Sequence, residues 1–243
     1  MGDYGTPDRL EHAKHAVFRQ FDRAASSYDL LVGLNPGYHR HLRMSAERMA
    51  LSAPEPRILD LCCGTGASTE AIRRVYPHAT IVGLDRSSEM LARARSKETL
   101  QGIDFVEGDA TDPGAYGVEG PFDGVLMAYG IRNVPDADLA LQNLKELLVP
   151  GGVVVFHEYS VADSTLAQAV WDAVAYGVII PSGLVAGGDA EIYRYLHASV
   201  RAFDGVKAFE ARLRSAGFVS VWTGAMDGWQ RGIVHSFVAR RPA

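Results

Sequence analysis

Short apolar runs alternate along the chain with longer stretches whose apolar residues recur every three or four positions. The first run, Arg57-Ile58-Leu59-Asp60-Leu61, reads as a short buried strand, and a glycine-rich turn separates it from a helical pattern over Ala67–Val75. Residues 79–84 read as a second strand ending at Asp85. Ser87 then caps another helix, with Glu89 in the first turn, where negative charge is favoured. Residues 103–107 and Phe122–Ala128 read as the third and fourth strands. Pro135 and Asp136 open a helix that carries Ala140, Leu141, Leu144, Leu147 and Leu148 on one stripe, and Pro150-Gly151-Gly152 stops it. Val153-Val154-Val155-Phe156 is apolar at every position, which predicts a fifth strand covered on both faces and therefore central.

After Ser160 the pattern changes. An apolar helix over 166–176 leads into a Gly/Pro-containing stretch at 177–188, and a helix follows near 189–200. A helix over 206–216 and strands near 218–223 and 232–239 come next, while the residues before 54 read as helical with a loop at 33–38. Strand–helix alternation with connections this short predicts an α/β fold: a doubly wound, mostly parallel seven-stranded sheet covered by helices on both sides. Residues 1–53 form an N-terminal helical extension in this reading, and residues 54–243 form the main domain, with a helical lid insertion at about 161–203.

Composition narrows the class. The 243 residues are 47% hydrophobic and 22% charged, an ordinary globular mix that excludes disorder and fibrous repeats. Twenty-four Lys and Arg against 29 Asp and Glu leave a net charge of −5 with no basic tract, which argues against nucleic-acid binding. Cys62 and Cys63 are adjacent, so they make neither a disulfide framework nor a zinc spacing, and they read as small packing residues. No His/Asp/Glu grouping has metal-ligand spacing, and no metal is expected. No apolar run approaches the roughly 18 residues of a membrane span, and the polar start lacks a secretory apolar core, so a cytoplasmic location is expected.

In a doubly wound sheet, ligands bind beyond the carboxyl ends of the strands, so the chemistry lies just after each strand. Asp60-Leu61-Cys62-Cys63-Gly64-Thr65-Gly66 follows the first, and its glycines allow a sharp turn and close backbone approach to a ligand. Asp85 after the second can accept two hydrogen bonds from a ribose diol. Glu107-Gly108-Asp109-Ala110 and Ala128-Tyr129-Gly130 continue the rim after the third and fourth. A dinucleotide fingerprint requires a third glycine where Thr69 stands, which counts against NAD. S-adenosylmethionine (SAM) has no pyrophosphate, and its adenine amino group is a donor that Asp109 can meet.

Residues 60–66, 82–85, 108–110, 122–128 and 147–152 together resemble the ordered motifs of class I SAM-dependent methyltransferases. More narrowly, the chain resembles the ubiquinone/menaquinone biosynthesis C-methyltransferases. That likeness rests on Phe21-Asp22-x-x-Ala25-x-x-Tyr28-Asp29, Gly130-Ile131-Arg132-Asn133-Val134, Glu158-Tyr159-Ser160 and Ala190-x-x-Tyr193-Arg194-Tyr195-Leu196. The resemblance implies SAM as cofactor and S-adenosylhomocysteine as product. Asp60, Cys62, Gly64, Thr65 and Gly66 would form the cofactor loop, Asp85 and Arg86 the ribose end, Asp109 and Ala110 the adenine end. Ala128 and Tyr129 would continue the wall and Tyr28 would cover the methionine end.

Arg132 and Asn133 would hold a water beside the acceptor, the arginine cation stabilising a phenolate. Tyr193 would line the pocket, and Tyr195, two residues on, is not expected to face it squarely. Ala128 stands where the family has serine. Leu30-Leu31-Val32, His39 with Leu42, and Phe237-Val238-Ala239-Arg240-Arg241 also depart from the family pattern. The leading expectation is methylation of a small apolar ring acceptor, at carbon if it is a quinol. O- or N-methylation of a specialised metabolite, or SAM binding without transfer, are the alternatives. The expected partner is a small molecule, with peripheral membrane contact only for a lipid quinol and a homodimer left open.

Overall fold

In the computed structural model, which describes residues 10, 14, 33, 35–185 and 190–243, the apolar runs become strands of one sheet. Helix α1 (Tyr38–Glu47) precedes β1 (Arg57–Leu61), α2 (Ala67–Val75), β2 (Thr80–Asp85) and α3 (Ser88–Ser96). Then come β3 (Asp104–Glu107), β4 (Phe122–Ala128), α4 (Ala137–Leu147) and β5 (Leu148–Tyr159). Helix α5 (Thr165–Val174), a π-helical turn (Ala175–Ile179), α6 (Ile180–Val185) and α7 (Ala190–Ala202) form the helical insertion. The order ends with α8 (Val206–Ser215), β6 (Val219–Ala225) and β7 (Val234–Arg240). Local chemistry sets the helix starts: Ser87 Oγ accepts from Met90 N–H and Asp136 from Leu139 N–H, each satisfying an amide left over at a helix N-terminus.

Among the described residues the sheet has seven strands in the order β3-β2-β1-β4-β5-β7-β6. β1 pairs in parallel with β2 and β4, β2 with β3, and β4 with β5; β7 runs antiparallel to both β5 and β6. This is the expected doubly wound, mostly parallel architecture. Alternate residues of the strands face opposite layers. Leu59, Leu61, Val125 and Phe156 pack with Leu141 of α4 and Phe209 of α8, while Ile58, Leu126, Val153 and Val155 pack with Ala46 of α1 and Ile72 of α2. Val153 to Phe156 are wholly buried, as a central strand requires.

The structure corrects three boundaries. The fifth strand begins at Leu148, directly after α4, and Pro150-Gly151-Gly152 bends it instead of ending the helix. Gly151 adopts φ +77 there, and the pairing with β4 shifts register between Phe122 and Gly124. The strand extends to Tyr159 because β7 pairs along it from Val153 to Tyr159. The Gly/Pro-containing stretch is helical through Val185: the wide π turn over Ala175–Ile179 holds Gly177, and Pro181 follows it directly in α6. The loop placed at 33–38 is shorter, since Gly33 is helical and Tyr38 opens α1. Residues 186–189 of the expected lid insertion lie outside the described residues.

The turn from β1 into α2 is tight. Gly66 caps α2 at φ +87, and a Cβ there would lie 2.3 Å from Leu100 Cδ1, a buried side chain. Gly66→Ala therefore combines left-handed strain with overpacking, and a loss of about 2 kcal/mol or more is expected in chemical denaturation, with far-ultraviolet dichroism unchanged. An unaltered midpoint would contradict the tight cap.

Candidate active site

Two strained turns open the site. Cys62, leaving β1, and Tyr129, leaving β4, both adopt left-handed backbones, at φ +60 and +56. Such conformations cost non-glycine residues on the order of 1–3 kcal/mol and persist where the surroundings over-determine them. Here they do. The Cys63 N–H donates to Leu84 O at 3.0 Å and the Tyr129 N–H to His157 O at 2.7 Å. The two turns also interlock, because a Cβ on Gly130 would lie 2.7 Å from Cys62 Cβ. Beyond them, at the carboxyl edge of the sheet, is a cavity of about 530 Å³.

Its first half is built from the turns after β1, β2 and β3. Asp85 Oδ2 accepts from the Gly64 N–H at 2.8 Å and Oδ1 from the Ser87 N–H at 2.9 Å, so two backbone amides fix the orientation of the carboxylate at the cavity. Gly64 lines the cavity with nothing within 4 Å of where a Cβ would stand. Arg86 Nη1 pairs with Asp109 Oδ2 at 3.1 Å, and Asp109 Oδ1 accepts from the Thr111 N–H.

Behind this wall, wholly buried Asp60 accepts through Oδ2 from the hydroxyls of Ser68 (2.8 Å) and Thr69 (2.6 Å). Its Oδ1 has no partner among the described residues. Burial, only partly offset by those two hydroxyls, pushes its carboxyl up to about 7. A buried acid with an orphaned oxygen beneath a bare glycine loop fits a ligand that carries positive charge, as SAM does.

The second half is aromatic around one buried ion pair. Arg132 Nη1 donates to Glu158 Oε1 at 2.6 Å and to Tyr129 O at 2.8 Å, and its Nε donates to Ser199 Oγ. Burial works against the Arg132 charge, and Glu158 beside it more than restores it; burial raises the Glu158 carboxyl and Arg132 pulls it back. Asn133 Nδ2 donates to Tyr129 O at 3.2 Å, and Asn133 Oδ1 accepts from the Tyr195 hydroxyl at 3.0 Å. Tyr38 stacks on Tyr129 at 5.9 Å between ring centres, with Tyr159 tilted against it at 4.9 Å.

Eleven of the residues singled out from the sequence line this one cavity: Cys62, Gly64, Asp85, Arg86, Asp109, Ala110, Ala128, Tyr129, Arg132, Asn133 and Tyr193. Asp60, Thr65 and Gly66 sit behind its wall, and Tyr28 lies outside the described residues. Both Tyr193 and Tyr195 line the cavity, contrary to the expectation for residues two apart: Ile192, Tyr193, Tyr195 and Leu196 all border it, so a broad face of α7 takes part in the wall. Sequence reasoning missed Tyr38, Tyr195 and Trp229 as lining residues and Glu158 as the partner of Arg132; the Glu158-Tyr159-Ser160 motif was the available signal for the last. Cys62 and Cys63 have thiols pushed well up by burial, in keeping with packing roles. Among the described residues no cluster of His, Cys, Asp or Glu is placed to hold a metal ion, and no helix is long and apolar enough to cross a membrane.

Comparison with known proteins adds a lineage to this geometry. The model of the ubiE/COQ5 methyltransferase family matches residues 9–239. A ubiquinone/menaquinone biosynthesis C-methyltransferase from Bradyrhizobium diazoefficiens is 36% identical over 212 residues, covering 83% of this chain and 82% of its own. A demethylmenaquinone methyltransferase from Thermus thermophilus is 35% identical over 201 residues, covering 82% and 90%. Among solved structures, a phosphoethanolamine N-methyltransferase 2 from Haemonchus contortus in complex with S-adenosyl-L-methionine superposes with a TM-score of 0.66 at 18% identity. That match covers 91% of this chain and 57% of the solved one, and it speaks for the fold alone.

Asp60 supplies a pH test. Its native carboxyl binds a proton more tightly than the unfolded one, with the value raised from 3.8 to about 7, so its contribution to stability is complete in acid and is lost as pH rises through about 7. Asp60→Asn removes that titration. The stability of the ligand-free wild type relative to Asp60→Asn is expected to fall by a few kcal/mol, at most ~4, between about pH 4 and pH 7, and then to level off. Denaturation of both proteins across that range measures it, and a constant difference would show that Asp60 stays ionised.

Proposed function

The chain belongs to the ubiE/COQ5 methyltransferase family, and from that premise we propose that it moves a methyl group from SAM to a ring carbon of a small, electron-rich acceptor of the quinol type. That it is a SAM-dependent methyltransferase follows from the family; the acceptor and the atom methylated are the proposal. The observation that carries it is the pairing, within one cavity, of the Asp85 turn with a wall of tyrosines around buried Arg132. The aromatic wall suits a flat ring, and the arginine suits an oxygen that carries negative charge. Glu158 neutralises Arg132 at rest, so the wall carries no net charge from the pair and admits an apolar ring without a second counter-ion.

When bound, SAM supplies a methyl group already activated by its sulfonium. What remains for the protein is positioning and exclusion of water. Asp85, oriented by two backbone amides at the edge of the cavity, receives the ribose hydroxyls. Arg86 and Asp109 close the adenine end, and Asp60, whose carboxyl burial raises to about 7, can take on negative charge under the glycine loop when the sulfonium is bound. Arg132 cannot be a resting base, since a guanidinium does not lose its proton at neutral pH. Its role here is to donate to an acceptor oxygen or to the water that takes the acceptor's proton. Tyr193, Tyr195 and the α5–α7 insertion cover the ring.

Asp85→Ala is expected to lower the affinity for S-adenosylhomocysteine roughly ten- to a hundredfold in a folded protein. S-adenosylhomocysteine should raise the melting temperature of the wild type, whereas NAD should not. Transfer of labelled methyl from SAM to a panel of hydroquinones, with the products resolved by NMR as C-methyl or O-methyl, tests the acceptor. O-methyl products alone would overturn carbon methylation, and a stabilising shift with NAD would overturn the cofactor.

A further inference from the structure

Behind the tyrosine wall runs a chain of polar groups that methyl transfer as described leaves unused. The Tyr129 hydroxyl lies 2.9 Å from His157 Nε2, and His157 Nδ1 lies 2.7 Å from Ser45 Oγ. Ser45 Oγ is 2.7 Å from Ser236 Oγ, which accepts from Arg48 Nη1 at 2.8 Å. Ser45, His157 and Ser236 are wholly buried and come from α1, β5 and β7, three elements far apart in sequence. Arg48 is anchored in turn, donating to Gly224 O and Ala225 O.

The direction of this chain follows from counting donors. Arg48 can only donate, so Ser236 Oγ receives. Among the described residues, the acceptor within reach of the Ser236 hydroxyl is Ser45 Oγ, so Ser236 donates there. Ser45 then donates to His157 Nδ1. Burial pushes the His157 imidazole down to about 3, which keeps it neutral, so its one proton sits on Nε2. Nε2–H donates to the Tyr129 oxygen. The phenol's own hydrogen is thereby turned away from His157, and a phenol whose oxygen already receives a hydrogen bond is a stronger donor. The rest of Tyr129 is clamped as well: its N–H by His157 O, its carbonyl by Arg132 and Asn133.

We propose that Tyr129 is a second oxygen-recognising group beside Arg132: its hydroxyl donates to an oxygen of the methyl acceptor, aimed by the buried Arg48–Ser236–Ser45–His157 chain. This rests on the methyl-transfer reading above. Tyr129 neither gains nor loses a proton; it selects acceptors that carry an oxygen with available lone pairs, a phenolate before all, and fixes the ring relative to the cofactor end. His157 is a positioning residue, acting only through Tyr129.

The test compares wild type, Tyr129→Phe, His157→Leu and His157→Gln, each saturated with S-adenosylhomocysteine. Each is titrated anaerobically with 1,4-naphthohydroquinone and with naphthalene, which offers the same ring without oxygen. Wild type should prefer the hydroquinone. Tyr129→Phe and His157→Leu should lose about tenfold in affinity for it, with naphthalene binding unchanged. His157→Gln, whose amide can accept from Ser45 and donate to Tyr129, should recover most of that loss. Histidine ¹⁵N NMR should show His157 as the neutral Nε2–H form.

An Nδ1–H form, an unchanged hydroquinone affinity in Tyr129→Phe, or an equal loss for both ligands would each overturn the assignment. So would equal losses in the two folded His157 variants. Turnover is scored separately: absence of methyl transfer by a wild type that shows the binding preference would count against methyl transfer and not against Tyr129.

Discussion

Half of the site depends on the Arg132–Glu158 pair. Removing a guanidinium and a carboxylate from water costs several kcal/mol each, and only good geometry with further hydrogen bonds offsets it. Geometry and further bonds support the Arg132 side and Glu158 Oε1, while Glu158 Oε2 has no partner among the described residues. Glu158 Oε1 also accepts from the Tyr159 N–H at 2.9 Å, and Arg132 reaches Tyr129 O and Ser199 as well. One guanidinium thus joins the turn after β4, the end of β5 and helix α7 of the insertion. Losing either partner leaves a bare buried charge, with a penalty of ~3–5 kcal/mol, so stability and catalysis at Arg132 are bound to the same contacts. The left-handed backbone at Tyr129 persists for the same reason: its carbonyl is held where Arg132 and Asn133 need it.

How much of this was legible in the sequence depends on the range of each interaction. Asp60, Asp85 and Asp109 could be picked out because a parallel sheet delivers every strand's carboxyl end to one edge, so proximity follows from order along the chain. Ser87 and Asp136 could be placed as caps because a cap acts within three residues. The path of 148–152 could not, because Pro-Gly-Gly signals a helix stop equally well and only the pairing with β4 turns it into a bend. The π turn was hidden for a similar reason: Gly177 and Pro181 break an ordinary helix, and the wider winding that accommodates both has no sequence signal of its own.

Longer reaches were invisible. His157 is a wholly buried histidine of β5, and its significance lies in Ser45 and Ser236, more than seventy residues away on either side. Tyr129, Tyr159 and Tyr195 fall in motifs legible in the chain, but their convergence with Tyr38 on one wall is not.

The position of β7 bears on how the protein is made. It is the last of the seven strands to be synthesised, but it belongs inside the sheet, between β5 and β6. Strands β1 to β5 can pair as they emerge from the ribosome. Throughout the synthesis of the insertion, α8 and β6, the far side of β5 from Val153 to Tyr159 presents unpaired amides and carbonyls along an apolar strand. Each nascent copy therefore passes through an interval in which its longest strand is a template for a neighbouring chain.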